Sequence, residues 1–296
     1  MSTLHFHPEC ISCILGKYIH AVPQGTDPVQ HLAYAKEILR LIADAGDTVT
    51  APEIVAAVTA LRNTMFGYID DFDAVKQHFN ALMLSKEQGF GAYIAAADDP
   101  LLCAARFAML GNYIDFGALD SVDETKLDTI PADAQKVCIA DTEYDNFRQD
   151  LQNGKRLVYI TDNCGEIVMD KLFLQQIKAQ YPHLQINVLV RGAAVLNDAT
   201  VEDAAQIGLD KLFSVHGNST NIAGTCLTKI SGEILSLIDC ADVIIAKGQG
   251  NFETLCGCGK NVYYLFLCKC HLFAERFSVP QYTGMFLNEK RLDKHI

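Results

Sequence analysis

The sequence has no apolar stretch approaching the ~20 residues that a membrane-spanning helix requires; its clearest apolar run, Val262 to Leu267, is strand-sized. A secretory signal is also missing. Met1 to Leu15 carries polar and histidine residues where a basic and then an apolar segment would stand, so no export is expected and the chain reads as cytoplasmic. There is no basic cluster either: 24 Lys plus Arg stand against 36 Asp plus Glu, and the net charge of −12 repels nucleic-acid phosphates and anionic lipid. Nucleic acid and membranes are therefore not expected partners. Internal repeats and low-complexity tracts are absent. Neither a Walker A loop nor the full dinucleotide fingerprint occurs, which weakens NTPase and dehydrogenase readings.

What is present is ample material for a core. Half of the 296 residues are apolar, enough for one large domain or two unequal ones. Eleven cysteines are many, but without export they are expected as reduced thiols that fill the core, bind metal or act in redox chemistry. An acidic protein that handles an anionic substrate needs a local attractor, and a divalent cation with one or two Lys or Arg residues is the usual one.

The chain divides by rhythm. Up to about Leu127 the apolar spacing is helical, as in Leu32, Ala35, Leu39 and Ile42, then Ile54, Ala57, Val58 and Leu61. Asp27-Pro28 and Ala51-Pro52 fit helix starts and Gly46 a helix stop. From residue 128 on, and clearly after Pro131, short β-branched runs alternate with helical segments: Leu157 to Thr161, Ile186 to Val190, Leu212 to Val215, Val243 to Ala246 and Val262 to Leu267. Met169, Leu172, Phe173 and Ile177 mark one face of the helix after the first run. The expectation is an α/β protein, with an N-terminal helical bundle (1–127) packed on a Rossmann-like, mostly parallel α/β domain (128–296) and a polar linker within Asp120 to Ala134.

In an open parallel sheet, ligands bind beyond the carboxyl ends of the strands. Polar clusters follow three of the runs. They are Asp162-Asn163-Cys164-Gly165-Glu166; Arg191-Gly192 with Asn197-Asp198; and Lys247-Gly248-Gln249-Gly250-Asn251 with Glu253. Asp and Asn oxygens suit a hard cation, Lys and Arg suit phosphate, and Gly248 and Gly250 let the backbone approach a ligand. Each cluster alone has an ordinary explanation, as a turn pair, a helix cap or a glycine turn. Three at successive strand ends point to one functional crevice. A fourth, Gly111-Asn112-Tyr113-Ile114-Asp115, interrupts an apolar stretch of the helical half; Asn112 and Asp115 either pin helices together or project into the crevice.

Two other phosphatase chemistries fit poorly. Cys270 to Arg276 has the C-x5-R spacing of thiolate phosphatases, but the residues between lack the glycines that wrap a phosphate, and Glu275 would repel it. An aspartyl-phosphate mechanism would need a second aspartate two positions after Asp162, where Cys164 stands. Cys10 and Cys13, preceded by His5 and His7, allow three readings: a zinc site completed by distant cysteines, a redox pair, or core filling.

Taken in order, the four polar motifs resemble the metal-dependent damage-control phosphatases, long described as a domain of unknown function and also as acidic residue methyltransferase 1-like, in their stand-alone prokaryotic branch. The resemblance implies a helical domain on a Rossmann-like one, a divalent metal ion (Mg, Mn, Co or Ni) and hydrolysis of small phosphorylated metabolites. It places metal ligands at Asp162, Asn163 and Asp198 and a phosphoryl contact at Lys247. From the crevice itself, Arg191, Gly248, Gly250, Asn251, Asn112 and Asp115 are expected around the phosphate and substrate. Glu166 or Glu253 is the expected general base for a metal-activated water. Carboxyl methyl transfer and non-catalytic metabolite or metal binding are the competing readings. The sequence carries no signal for oligomeric state.

Overall fold

The structure is a computed structural model that describes residues 6–67, 71–114 and 125–292. It opens with five helices: α1 (Pro8–Tyr18), α2 (Pro28–Ala43), α3 (Ala51–Phe66), α4 (Asp73–Ala95) and α5 (Pro100–Gly111). Their starts follow the expected chemistry. Asp27 accepts the Val29 and Gln30 N–H groups ahead of Pro28, and Thr50 and Glu53 form a reciprocal capping box at α3. The buried face of α2 differs from the expected stripe: Leu32 and Leu39 are exposed, whereas Tyr34 and Ile38 pack with Ile14, Tyr18, Ile54 and Val58. Leu41 and Ile42 pack partly against the same cluster, so the buried face runs through Tyr34, Ile38 and Leu41-Ile42, and of the expected stripe Ile42 lies on it.

Two short helices follow, α6 (Thr125–Asp128) and α7 (Ile130–Ala134), then α8 (Asp141–Asn153). Leu127, Ile130 and Ala134 are buried in the main core, so from Thr125 onward the stretch read as a linker is packed structure. The α/β part runs β1 (Arg156–Ile160), α9 (Glu166–Gln180), β2 (Gln185–Val190), α10 (Val201–Gln206), β3 (Ser214–Gly217), α11 (Gly232–Asp239), β4 (Val243–Lys247), α12 (Gln249–Leu255), β5 (Val262–Leu267), α13 (His271–Phe277) and β6 (Gly284–Asn288). Among the described residues these strands form one sheet in the order β3-β2-β1-β4-β5-β6, parallel except for β6.

The five expected strands are all present. The third begins at Ser214 rather than Leu212, whose side chain is exposed in the preceding turn. The sixth, β6, was not expected: Met285 and Phe286 are adjacent rather than alternating, and its partner β5 supplies the register through Tyr264 opposite Leu287. Helix α9 carries more than a stripe, since every residue from Glu166 to Leu174 is buried. It lies between the sheet and the helical half, and Phe79, Met83 and Phe107 share its core with Tyr159, Val188 and Ile245. The other sheet face is covered by Ile234, Phe252 and Phe273. Because β2 and β4 flank β1 on opposite sides, the chain reverses its direction of winding between β1 and β4, which is where such sheets bind ligands.

Candidate active site

The loops after β1 and β2 are fastened together by backbone bonds. Cys164 N–H donates to Asn197 O at 2.8 Å, Ala199 N–H donates to Asp162 O at 2.8 Å, and Asn163 and Asp198 pair as an isolated bridge. A turn through Leu196 (φ 46°), closed by Asp198 N–H to Val195 O, delivers the second aspartate. The loop after β4 arrives from the other side. Gly248, at φ +79°, lies so close that a Cβ there would sit 2.0 Å from Asp162 Oδ2, so no other residue fits without displacing that carboxylate.

Beneath these loops is a densely hydrogen-bonded polar layer, in which, among the described residues, Asp170 Oδ2 is the buried oxygen left without a partner. Asn112 Nδ2 donates to Asp162 Oδ2 (2.9 Å) and Glu166 Oε2 (3.0 Å), and its Oδ1 accepts Leu267 N–H (3.1 Å), tying the end of α5 to the ends of β1 and β5. Asn163 Nδ2 donates to the same Asp162 oxygen at 2.8 Å. Arg191 binds Asp198 through Nε (2.5 Å), Asp162 through Nη2 (3.3 Å) and Asn251 through Nη1 (3.3 Å). Its charge thereby offsets the repulsion between the two aspartates. Asn251 Nδ2 in turn donates to Thr161 O and Lys247 O.

Lys247 is fully buried and donates to Ala108 O (2.8 Å), Glu166 Oε1 (2.5 Å) and Asp170 Oδ1 (2.6 Å). An ammonium has three N–H groups, so as placed it has none left for the cleft. Burial opposes its charge, yet Asp170 and Glu166 prevail and hold its pKa above the ordinary lysine value. Asp170 is a member of this layer that sequence reasoning missed. It also accepts the Tyr159 hydroxyl at 2.7 Å, and burial pushes its pKa up to about 7 against the pull of Lys247, with Glu166 pushing the same way as burial. A signal existed: Glu166 and Asp170 are four apart on this helix, flanking Ile167, Val168 and Met169, a spacing that stacks two carboxylates.

Above the layer opens a cleft of about 530 Å³, whose wall includes Asp162, Asn163, Asp198, Gln249, Gly250 and Glu253. Glu166, Lys247, Asn112 and Asn251 have no exposed surface and lie behind it. Asp115 falls outside the described residues. Glu253 accepts Gln249 Nε2 at 2.9 Å, and burial pushes its carboxyl up to about 7.

The donor set fits a hard divalent cation. Among the described residues no three His, Cys, Asp or Glu side chains gather to hold a metal; the oxygen set here reaches three by adding the Asn163 amide to Asp162 and Asp198. Two carboxylates and an amide, all on the cleft wall and oriented by Arg191, Asn112 and Gly248, suit Mg²⁺ or Mn²⁺ better than zinc. The cysteines contribute differently. Cys10 and Cys13, on α1, line the same cleft, and burial, with Glu253 nearby, pushes the Cys10 thiol up to about 11, opposite to a reactive redox thiolate. His5 lies outside the described residues. Cys270 caps α13 with its thiol pKa raised by burial, and Arg276 stacks over Phe273 at 5.9 Å, so the two do not form a phosphate loop.

Fold and site together define a class: a mostly parallel α/β protein roofed by helices, with a carboxylate–amide oxygen cluster at the switch point of the sheet. The profile of the damage-control phosphatase ARMT1-like domain matches residues 6–285, and the chain belongs to that family. It is 33% identical to damage-control phosphatase PH1575 of Pyrococcus horikoshii over 179 residues, a stretch spanning 60% of this chain and 61% of that protein. A damage-control phosphatase of Archaeoglobus fulgidus is 29% identical over 286 residues, with 92% of this chain and 95% of the relative covered. The uncharacterized protein MJ0202 of Methanocaldococcus jannaschii is likewise 29% identical, covering 92% and 91%. The crystal structure of the P. horikoshii DUF89 protein superposes with a TM-score of 0.80 over 96% of this chain and 99% of its own, at 24% identity, and shows the same fold.

Proposed function

We propose that this protein is a metal-dependent phosphatase that hydrolyses small phosphorylated metabolites at the cleft wall formed by Asp162, Asn163 and Asp198. The observation that carries this reading is the oxygen cluster itself: two aspartates held side by side by Arg191, with an amide beside them, on the wall of a cleft at the sheet's switch point. Membership of a damage-control phosphatase family supports the reaction class. A divalent cation bound there (Mg²⁺, Mn²⁺, Co²⁺ or Ni²⁺) would supply neutralising charge to the phosphoryl group and a water of lowered pKa.

The chain's own residues divide the remaining work. Asn112, Gly248 and Arg191 hold the Asp162 carboxylate in one orientation, so little reorganisation accompanies the reaction. Gln249 and Gly250 stand on the cleft wall in the first turn of α12, where backbone N–H groups have no intrahelical acceptor and can receive phosphoryl oxygens. Glu253 faces the cleft and keeps its proton to about pH 7, which makes it the group to exchange a proton with water or the leaving oxygen. Lys247 acts from behind, fixing Glu166, which accepts from the Asn112 and Asn163 amides.

Asp162→Ala tests the assignment. Calorimetric titration with Mn²⁺ should show the parent's tight site lost in the folded variant, with phosphate release lost alongside it. Parent-like metal binding by Asp162→Ala would place the metal elsewhere.

A further inference from the structure

The cleft is larger than a phosphoryl group needs. Besides Asp162, Asn163 and Asp198 its lining includes an apolar set, Ile14 and Tyr18 from α1, Val55 from α3, then Leu196, Leu272 and Tyr282, interspersed with the charged Glu9, Lys17 and Lys269. About 530 Å³ is within the range of pockets that enclose a whole small organic molecule.

Two of these residues are strained. Among the described residues four non-glycine residues have positive φ, and the two large apolar ones, Leu196 (46°) and Tyr282 (65°), both line the cleft. The Leu196 conformation is explained by the turn that delivers Asp198. That of Tyr282 also belongs to a turn, in which the residue type rather than the backbone is unexpected. Thr283 N–H donates to Pro280 O, which makes Tyr282 the third residue of a tight turn, the position where a positive φ ordinarily selects glycine or asparagine. Tyr282 N–H is also pinned to Cys268 O at 2.8 Å, so the turn is fixed to the end of β5. The chain thus keeps a bulky ring on backbone that disfavours it, and the ring is not spent on packing: Tyr282 is 49% exposed. Strain of this kind persists where the side chain serves a ligand.

We infer that Tyr282 is a specificity-determining residue that stacks on a flat apolar ring in the leaving group of the substrate, so that the enzyme prefers phosphomonoesters carrying such a ring to compact polyol phosphates. This rests on the phosphatase reading and narrows its substrate class. The phosphoryl group occupies the polar floor, the ester oxygen points up the cleft, and the ring lies between Tyr282 and the apolar wall of α1. A half-exposed aromatic ring on a cleft wall, carried by a fixed turn, accepts planar groups at low conformational-entropy cost.

The test compares 2-phenylethyl phosphate with ethyl phosphate, two alkyl esters that differ by the ring, in the full-length protein with Mn²⁺. The parent should favour the phenylethyl ester by about tenfold or more in kcat/KM, mainly through KM. Tyr282→Gly removes the ring and suits the backbone; it should abolish that preference by lowering kcat/KM for the phenylethyl ester about tenfold more than for ethyl phosphate, and Tyr282→Phe should retain the preference. Equal kcat/KM for both esters in the parent, or an equal loss on both in Tyr282→Gly, overturns the inference. Phosphate release from neither ester overturns the phosphatase reading and this inference with it, whereas release from both without a ring preference overturns the inference alone.

Discussion

Lys247 shows what a buried charge can do from a distance. Its three donors end on Ala108 O, Glu166 and Asp170, none of them exposed to solvent as side chains. Replacing it with an uncharged side chain strands two buried carboxylates, a change that costs about 3–5 kcal/mol when one partner of a buried pair is removed. Lys247→Met should therefore lower the urea midpoint strongly; a fully stable variant that only lost rate would instead indicate a lysine directed into the cleft. Glu253 gives a pH signature. The unfolded chain releases this proton near the ordinary value of 4.5, whereas the folded protein keeps it to about 7. Between those values the native state binds more protons, so the stability present in full below the lower one declines as pH rises to the upper. Glu253→Gln lacks this titration. With chelator present, its thermal midpoint relative to the parent's should rise between about pH 5 and about pH 7.5, and a constant difference would contradict the shifted carboxyl.

At the scale of elements, the site depends on loops braced by helices far away in sequence. Asn80, in α4, accepts Gly165 N–H at 2.7 Å and donates to Gln206 at 2.8 Å, joining the helical half to the loop after β1 and to α10. Asn80→Ala should cost about 1–3 kcal/mol by leaving a buried N–H without its acceptor. It should also weaken Mn²⁺ binding measured by calorimetry, because the Asp162-Asn163 loop loses a brace. Unchanged metal affinity would show that the backbone bonds to Asn197 and Ala199 suffice. This coupling could not be read from the sequence. Asn80 lies between Phe79 and Ala81 on a helix with no motif around it, and 85 residues separate it from its partner. Strand ends are different: β-branched runs followed directly by Asp162-Asn163 or Lys247-Gly248 announce both the element and its polar edge. What the sequence does not encode visibly is depth, so the placement of Glu166, Asp170 and Lys247 behind the cleft wall emerged only from packing.

At the scale of the molecule, an acidic chain with a net charge of −12 must draw an anionic substrate into a wall that itself bears two aspartates. Arg191 and Lys247, the cations among the strand-end motifs, are committed to protein carboxylates, while Lys17 and Lys269 line the cleft itself. On the reading proposed above, a divalent cation at Asp162, Asn163 and Asp198 would turn the oxygen cluster from a repellent surface into an anion receptor. The fold was legible as a helical cap on a parallel sheet because α4 and α5 share a continuous core with the α/β part around α9, while α1–α3 pack in a small cluster of their own, and the strand order fixes where the loops meet. Phosphate release from an aryl phosphate, before and after exhaustive chelation and then with Mg²⁺, Mn²⁺, Co²⁺ or Ni²⁺ restored, tests this account most directly. The account predicts that activity disappears on chelation and returns with at least one of these ions. Undiminished turnover in the metal-free protein would contradict it.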